Sequence, residues 1–178
     1  MNKHTFNKVY TKTELGSFSD DELLNIIEVE MSDYEFRFPN VDILLDAIAL
    51  SHSKIEEIML INKKLKTNYA NSFLLLAAQY GHLQAVKRLL EIGEDIEFSD
   101  YLGYRALHIA CDFGYIDIIE HLLEEGANPN VCNSSNDYPL DLALKNNSDI
   151  IALLLEYGAH KMDEKYDVII DKVKQALK

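Results

Sequence analysis

Six histidines and several paired carboxylates are the residues of widest chemical reach in this chain. His4, His52, His82, His108, His121 and His160 could bind a metal or carry a proton. A helical metal site needs two imidazoles on one face, as in His-x-x-x-His, and a thiolate site needs a pattern such as Cys-x-x-Cys. Neither spacing occurs, and the histidines fall mostly one per element. The pairs Asp20-Asp21, Glu56-Glu57, Glu94-Asp95 and Glu124-Glu125 could serve as a general acid and base. Each falls at a helix end or on a polar face, where a solvated surface accounts for it. No glycine-rich phosphate loop is present, and no serine or cysteine sits in a motif that marks an activated nucleophile. Cys111 and Cys132 form no ligand-like cluster and read as reduced structural thiols. The expectation is therefore no catalytic residue, no metal, no cofactor and no enzyme activity.

The chain of 178 residues is long enough for one domain with a real core. Its 48% hydrophobic and 26% charged residues are a globular composition. No apolar run approaches the ~20 residues that span a membrane. Met1-Asn2-Lys3-His4-Thr5 opens the chain without a signal-like apolar stretch, so a cytoplasmic location is expected. The net charge is −13. Residues 67–160 carry 4 basic and 14 acidic side chains, against 8 and 12 in residues 1–66 and 5 and 4 in residues 161–178. Such a surface repels phosphate backbones and anionic lipid. Nucleic acid and membrane are thus unexpected partners, and a protein with a basic surface is the expected one. A monomer is expected when no partner is bound.

The elements that would carry these side chains repeat. Ser72-Phe73-Leu74-Leu75-Leu76-Ala77 aligns with Arg105-Ala106-Leu107-His108-Ile109-Ala110 and with Tyr138-Pro139-Leu140-Asp141-Leu142-Ala143. Gly81-His82-Leu83 aligns with Gly114-Tyr115-Ile116, and Leu89-Leu90 with Leu122-Leu123. The offset between Ala77, Ala110 and Ala143 is 33 residues each time. In the third copy, Leu154-Leu155 and Gly158 return one residue early, so the missing residue falls in the turn near Lys145-Asn146-Asn147-Ser148. Within one copy the pattern predicts a short helix from Ala106, a turn at Gly114, a second helix from about Asp117, and a stop at Gly126. Ile118, Ile119, Leu122 and Leu123 share the inner face of that second helix. No copy can bury its own apolar face, so the copies must stack.

The period and the residues Asp100, Gly103, Leu107-His108-Ile109-Ala110, Gly114, Leu122-Leu123, Gly126-Ala127-Asn128 and Asn130 resemble the ankyrin repeat family. The resemblance covers residues 67–160. It departs from the family pattern where a threonine-proline pair is replaced by Ser72-Phe73, Arg105-Ala106 and Tyr138-Pro139. The family histidine survives only at His108, with Leu75 and Asp141 in its place elsewhere. The resemblance implies an all-α helical solenoid with extended loops between repeats. It also implies a concave partner surface made from loop tips and the exposed side of the first helices. Carried over by position, that surface holds Tyr69 and Tyr80 in the first copy. It holds Tyr101, Leu102, Tyr104, Arg105, Asp112 and Phe113 in the second, and Ser134, Ser135, Asn136, Asp137, Tyr138 and Lys145 in the third. Aromatic rings give large contact area at little entropic cost, and Asp100, Asp112 and Asp137 are expected to steer a basic partner.

One domain over residues 1–178 is expected. Residues 1–40 form an N-terminal arm and capping helix, with Ser19-Asp20-Asp21-Glu22 as a capping box. Residues 41–66 form a degenerate first repeat, residues 67–99, 100–132 and 133–160 three repeats, and residues 161–178 a C-terminal capping helix. The function expected is protein binding that inhibits or sequesters one partner, of the immunity-protein or antitoxin type. A scaffold or effector that recruits a cellular partner is the alternative. A chelator such as EDTA should leave the melting temperature unchanged. A drop restored by one particular metal ion would overturn the expectation of no metal.

Overall fold

The computed structural model describes residues 15–33, 41–50, 72–144, 148–160 and 171. The arm before Leu15, residues 51–66 of the expected degenerate repeat with the second helix expected through Ile55, Ile58, Met59 and Ile61, and nearly all of the helix expected between Met162 and Leu177 lie outside the described residues. Among the described residues the secondary structure is helical: α1 (Asp20–Asp33), α2 (Val41–Leu50), α3 (Phe73–Gln79), α4 (Leu83–Glu91), α5 (Ala106–Phe113), α6 (Ile116–Glu124), α7 (Pro139–Ala143) and α8 (Ser148–Glu156). None of these helices is long and apolar enough to cross a membrane.

The helices form two rows. The first helices α3, α5 and α7 pack side by side, and the second helices α4, α6 and α8 pack behind them. Ala77, Ala110 and Ala143 are fully buried along the first row. A methyl group at each position lets neighbouring backbones approach closely. Cys111 takes the place that Ala78 holds one repeat earlier and is equally buried. Burial pushes its thiol well above the usual range, with Asp112 adding to the effect, so it packs as a small apolar side chain. The second row contributes Ala85, Val86 and Leu89, then Ile118, Ile119 and Leu122, then Ile150, Ile151 and Leu154.

Each second helix ends in one arrangement. The Ala127 N–H donates to the Leu122 carbonyl (2.9 Å) and the Gly126 N–H to the Leu123 carbonyl (3.1 Å). Gly126 holds φ at +92° to do so, a conformation that costs glycine little and other residues more. The pattern returns at Gly93 and at Gly158. Gly158 thus keeps the structural register although the third copy has lost a residue before it.

At the N-terminal side, the Ser19 N–H and Oγ–H both donate to Glu22 Oε2 (2.8 and 2.9 Å), and the Glu22 N–H donates to Ser19 Oγ at 3.4 Å. The expected capping box therefore opens α1. Leu15, Leu23, Ile27, Leu45 and Ile48 join the common core. Helix α2 departs from the two-row order. It lies chiefly against α1 and the second helix α4, and touches the first helix α3 far less. His82 ties it down: its Nε2 lies 3.0 Å from Asp46 Oδ1, while its Nδ1 accepts the Ala85 N–H (3.1 Å) and caps α4.

Leu122 is fully buried between the rows. Leu122→Ala should lower the unfolding free energy by about 2–5 kcal/mol, the range for truncating a buried leucine. Urea denaturation followed by circular dichroism measures it, and a loss under about 1 kcal/mol would contradict the two-row packing.

Candidate protein-interaction surface

The loops between repeats would expose unpaired backbone groups if they were floppy. Here one side chain organises each loop. Asp100 Oδ1 accepts the N–H groups of Leu102 (2.9 Å) and Tyr104 (2.8 Å), and the Asp100 N–H donates to the Tyr104 carbonyl (3.0 Å). One repeat later, Asn133 Oδ1 accepts from Ser135 and Asp137 (both 2.9 Å), and the Asn133 N–H donates to the Asp137 carbonyl (3.0 Å). The tip residue in each loop has positive φ: Gly103 at +77° and Asn136 at +65°. Asparagine tolerates that region better than most side chains. The two tips are joined where the Ser134 N–H donates to the Leu102 carbonyl (2.9 Å).

A second periodic bond ties the other side of the loops. Glu97 Oε1 accepts the Asn128 N–H (2.7 Å). At the equivalent place in the next repeat, Asn130 Oδ1 accepts the His160 N–H (2.9 Å), and its Nδ2 donates to the Gly158 carbonyl (3.0 Å). Glu97 Oε2 also pairs with Arg105 Nε at 3.0 Å. The charge of Arg105 is thereby largely compensated inside the protein.

The start of each first helix is satisfied three different ways. In α3, Ser72 Oγ accepts the Leu75 N–H (3.1 Å). In α5, His108 Nδ1 reaches back to accept the Arg105 N–H (3.3 Å). In α7, Asp141 Oδ2 accepts the Tyr138 N–H (2.9 Å). Asp141 thus takes over the histidine's bond in the third copy, whereas in the first copy Ser72 caps the Leu75 N–H instead. His108 is buried, and the backbone of Val131 and Asp137 works to raise its pKa. Burial first, and the Arg105 charge second, hold its pKa down to about 4.

The residues carried over from the family separate into groups. Tyr101 is 77% exposed and Leu102 46%, both at the first loop tip. Ser134, Ser135 and Asn136 are exposed at the next tip. Tyr104 is half-buried and meets the His108 ring edge-on, with centroids 6.0 Å apart. Tyr138 and Asp137 are half-buried too. Tyr80 (50%) and Phe113 (53%) are exposed at the C-terminal ends of α3 and α5, beside exposed Asp112. The eight residues of α5 place Phe113 about 11 Å along the helix from the loop-tip end. Tyr69 and Lys145 lie outside the described residues. Asp100 and Asp137 also hold their loops: the Asp100 carboxylate accepts the Tyr104 N–H, and Asn133 Nδ2 donates to Asp137 Oδ2 at 3.4 Å. Glu94 is only 5% exposed where a solvated face was expected.

Two contributors escaped the sequence pattern. Ile116, absent from the expected surface residues, is 39% exposed. Tyr115 packs its ring over Gly81, where a Cβ atom would come within 2.9 Å of it. The glycine recurring at 33 residues was a visible signal, but it indicated a turn and not a ring seat. Among the described residues, no three His, Cys, Asp or Glu side chains gather as a metal set.

The chain matches the family model of ankyrin repeats (3 copies) over residues 44–133 and again over 74–165. It is 30% identical over 132 residues to protein phosphatase 1 regulatory subunit 27 of Homo sapiens, covering 69% of this chain and 82% of that protein. The Mus musculus form is 33% identical over 127 residues, with the same coverage. Ankyrin repeat and SOCS box protein 11 of Mus musculus is 31% identical over 116 residues, or 64% of this chain and 36% of that protein.

The His108 pKa gives a signed pH dependence. The unfolded imidazole titrates near 6.5 and the folded one near 4. Between these values the unfolded chain takes a proton that the native one refuses. Stability is thus fully present above pH 6.5 and declines as the pH falls toward 4. Relative to His108→Gln, the native protein should lose about 2 kcal/mol between pH 7.5 and pH 5. Urea titrations at both pH values measure this, and parallel curves would exclude His108 as the titrating group.

Proposed function

The chain belongs to the ankyrin repeat family, and on that premise we propose that it binds one specific partner protein and inhibits or sequesters it, in the manner of an immunity protein or antitoxin. Ankyrin repeats are protein–protein interaction modules, so the coarse activity follows from membership. The name of the human relative describes a regulatory subunit of protein phosphatase 1. Control of a partner enzyme by binding is the same mode of action.

The observation that carries the proposal is the loop tip at Tyr101 and Leu102. Both side chains are exposed, yet their backbone is fixed by Asp100 and by the bond to Ser134. A large apolar side chain on a stiff mount has no use inside this protein and loses little entropy on binding. Ser134, Ser135 and Asn136 offer polar contacts beside it, with Tyr104 and Tyr138 as half-buried flanks. The partner is a protein with a basic rim. From residue 106 to residue 144 the chain holds seven carboxylates and no lysine or arginine, and Arg105 is already paired. The free protein is proposed to be a monomer, since like fields repel.

Affinity capture with the tagged chain, followed by mass spectrometry, identifies the partner. Tyr101→Ala or Leu102→Ala should then weaken binding by about 2 kcal/mol or more in at least one case, the hot-spot scale. Melting temperature should not move. Asp112→Asn should instead slow association and reduce its salt dependence. Wild-type binding by both loop-tip variants would overturn the assignment.

A further inference from the structure

The second helices all end in a carboxylate. Glu91, Glu124 and Glu156 each stand two residues before the glycine that closes α4, α6 or α8, and all three are exposed. The sign of the charge is wrong for the place. Carbonyl groups at a helix C-terminus carry partial negative charge, which a cation relieves and a carboxylate aggravates. Arg88 answers this in α4, with Nη1 3.4 Å from Glu91 Oε2. In α6 the neighbour is His121, whose Nδ1 lies 3.8 Å from Glu124 Oε2 and which carries charge only while protonated. The last turn of α8 holds no basic residue.

Tyr157 stands among these carboxylates. It takes the place of Ile92 and Glu125 in the earlier repeats, just before the closing glycine. Ile92 packs against the core, whereas Tyr157 is 39% exposed. Its mount is fixed. The Tyr157 N–H donates to the Leu153 carbonyl (3.1 Å), and the Ala159 N–H closes the turn on the Leu154 carbonyl (2.8 Å). Partial desolvation first, then the charges of Glu124, Glu120 and Glu156, push its phenol above the usual range. Carboxylates from two successive repeats thus act on one exposed ring. From this cluster we propose that Tyr157, with Glu120, Glu124 and Glu156, is a docking site for an arginine-bearing basic segment of a partner protein, on the row of second helices and apart from the loop tips. Uncompensated negative charge at two helix ends calls for a cation. A flat ring beside carboxylates suits a guanidinium, which stacks on an aromatic face and donates to oxygens at its edge, better than a compact, strongly hydrated ammonium. Among the described residues, no three His, Cys, Asp or Glu side chains come together to hold a metal ion, so charges spaced along a segment fit better than a single ion. The site does not depend on the loop-tip reading.

The test titrates the full chain at low salt with a decapeptide of alternating arginine and glycine, followed by calorimetry. Control peptides carry lysine or uncharged citrulline in place of arginine, and calcium chloride is the small-ion control. The arginine peptide should bind at least about tenfold more tightly than the citrulline peptide and about threefold more tightly than the lysine peptide. Tyr157→Leu and Glu120→Gln/Glu124→Gln should each weaken it about fivefold or more. Tyr157→Phe, which keeps the ring, and Asp21→Asn/Asp112→Asn, which removes equal charge from other helices, should each change it less than about twofold. The ultraviolet titration of Tyr157, taken as wild type minus Tyr157→Phe, should move to lower pH with peptide bound, because a nearby cation favours phenolate. If Tyr157→Leu fails to fold, the double glutamine variant and this titration carry the test. Tyr101→Ala should leave the binding unchanged, which separates it from the loop-tip surface. Equal binding of the arginine and citrulline peptides, equal losses in Tyr157→Leu and Asp21→Asn/Asp112→Asn, or displacement of the peptide by an equal amount of calcium would overturn the proposal. Tighter binding once the lysines of residues 161–178 are replaced by glutamine would mean that the chain's own segment occupies the site, and would also overturn it.

Discussion

The helices of the repeats are too short to be stable alone, and the fold depends on that constraint. The helices of the three repeats have five to nine residues, below the roughly 12–15 at which isolated helices become even marginal in water. Stability must come from packing against the neighbouring repeat. The buried alanines at 77, 110 and 143 make that contact close, and the branched side chains of the second row fill the space behind them. A 33-residue period is the consequence. The third copy is one residue shorter before Ser148, yet Gly158 closes its second helix as Gly93 and Gly126 close theirs.

Close stacking leaves polar backbone between the helices, and a second periodic system answers it. Asp100 and Asn133 organise the loops, while Glu97 and Asn130 fasten each repeat to the next. At the helix starts, His108 and Asp141 reach back to the N–H groups of Arg105 and Tyr138, while Ser72 accepts the Leu75 N–H. An acceptor is required there and its identity is not. That freedom explains how the chain departs from the family pattern without losing the fold. It also stiffens the loops, so that what they carry outward is already ordered before a partner arrives.

The surface that results has two apolar rims within one acidic field. At the loop tips the rings stand on hydrogen-bonded backbone. At the helix turns they stand on one another and on Gly81. The length of the first helices separates the two. Carboxylates that read as one uniform charge divide on closer view into two kinds. Asp100, Asp137, Asp141 and Glu97 hold the structure together, whereas Asp112 and Asp117 face solvent.

Period, helix order, turns and the buried stripe were legible in the sequence. They follow from the spacing of apolar residues and glycines along one chain, and repetition displays each signal three times. The one-residue loss in the third copy was legible for the same reason. Tertiary structure alone decided the rest. It turned Tyr104 inward onto His108 and seated Tyr115 on Gly81. It left Ile116 partly exposed, let Asp141 replace a histidine, and set α2 against α4. Tyr115 and α2 depend on partners more than 30 positions away, whereas Tyr104 and Asp141 meet partners within four residues of themselves. Local pattern determines which face a residue occupies. Only the next repeat determines whether that face is covered.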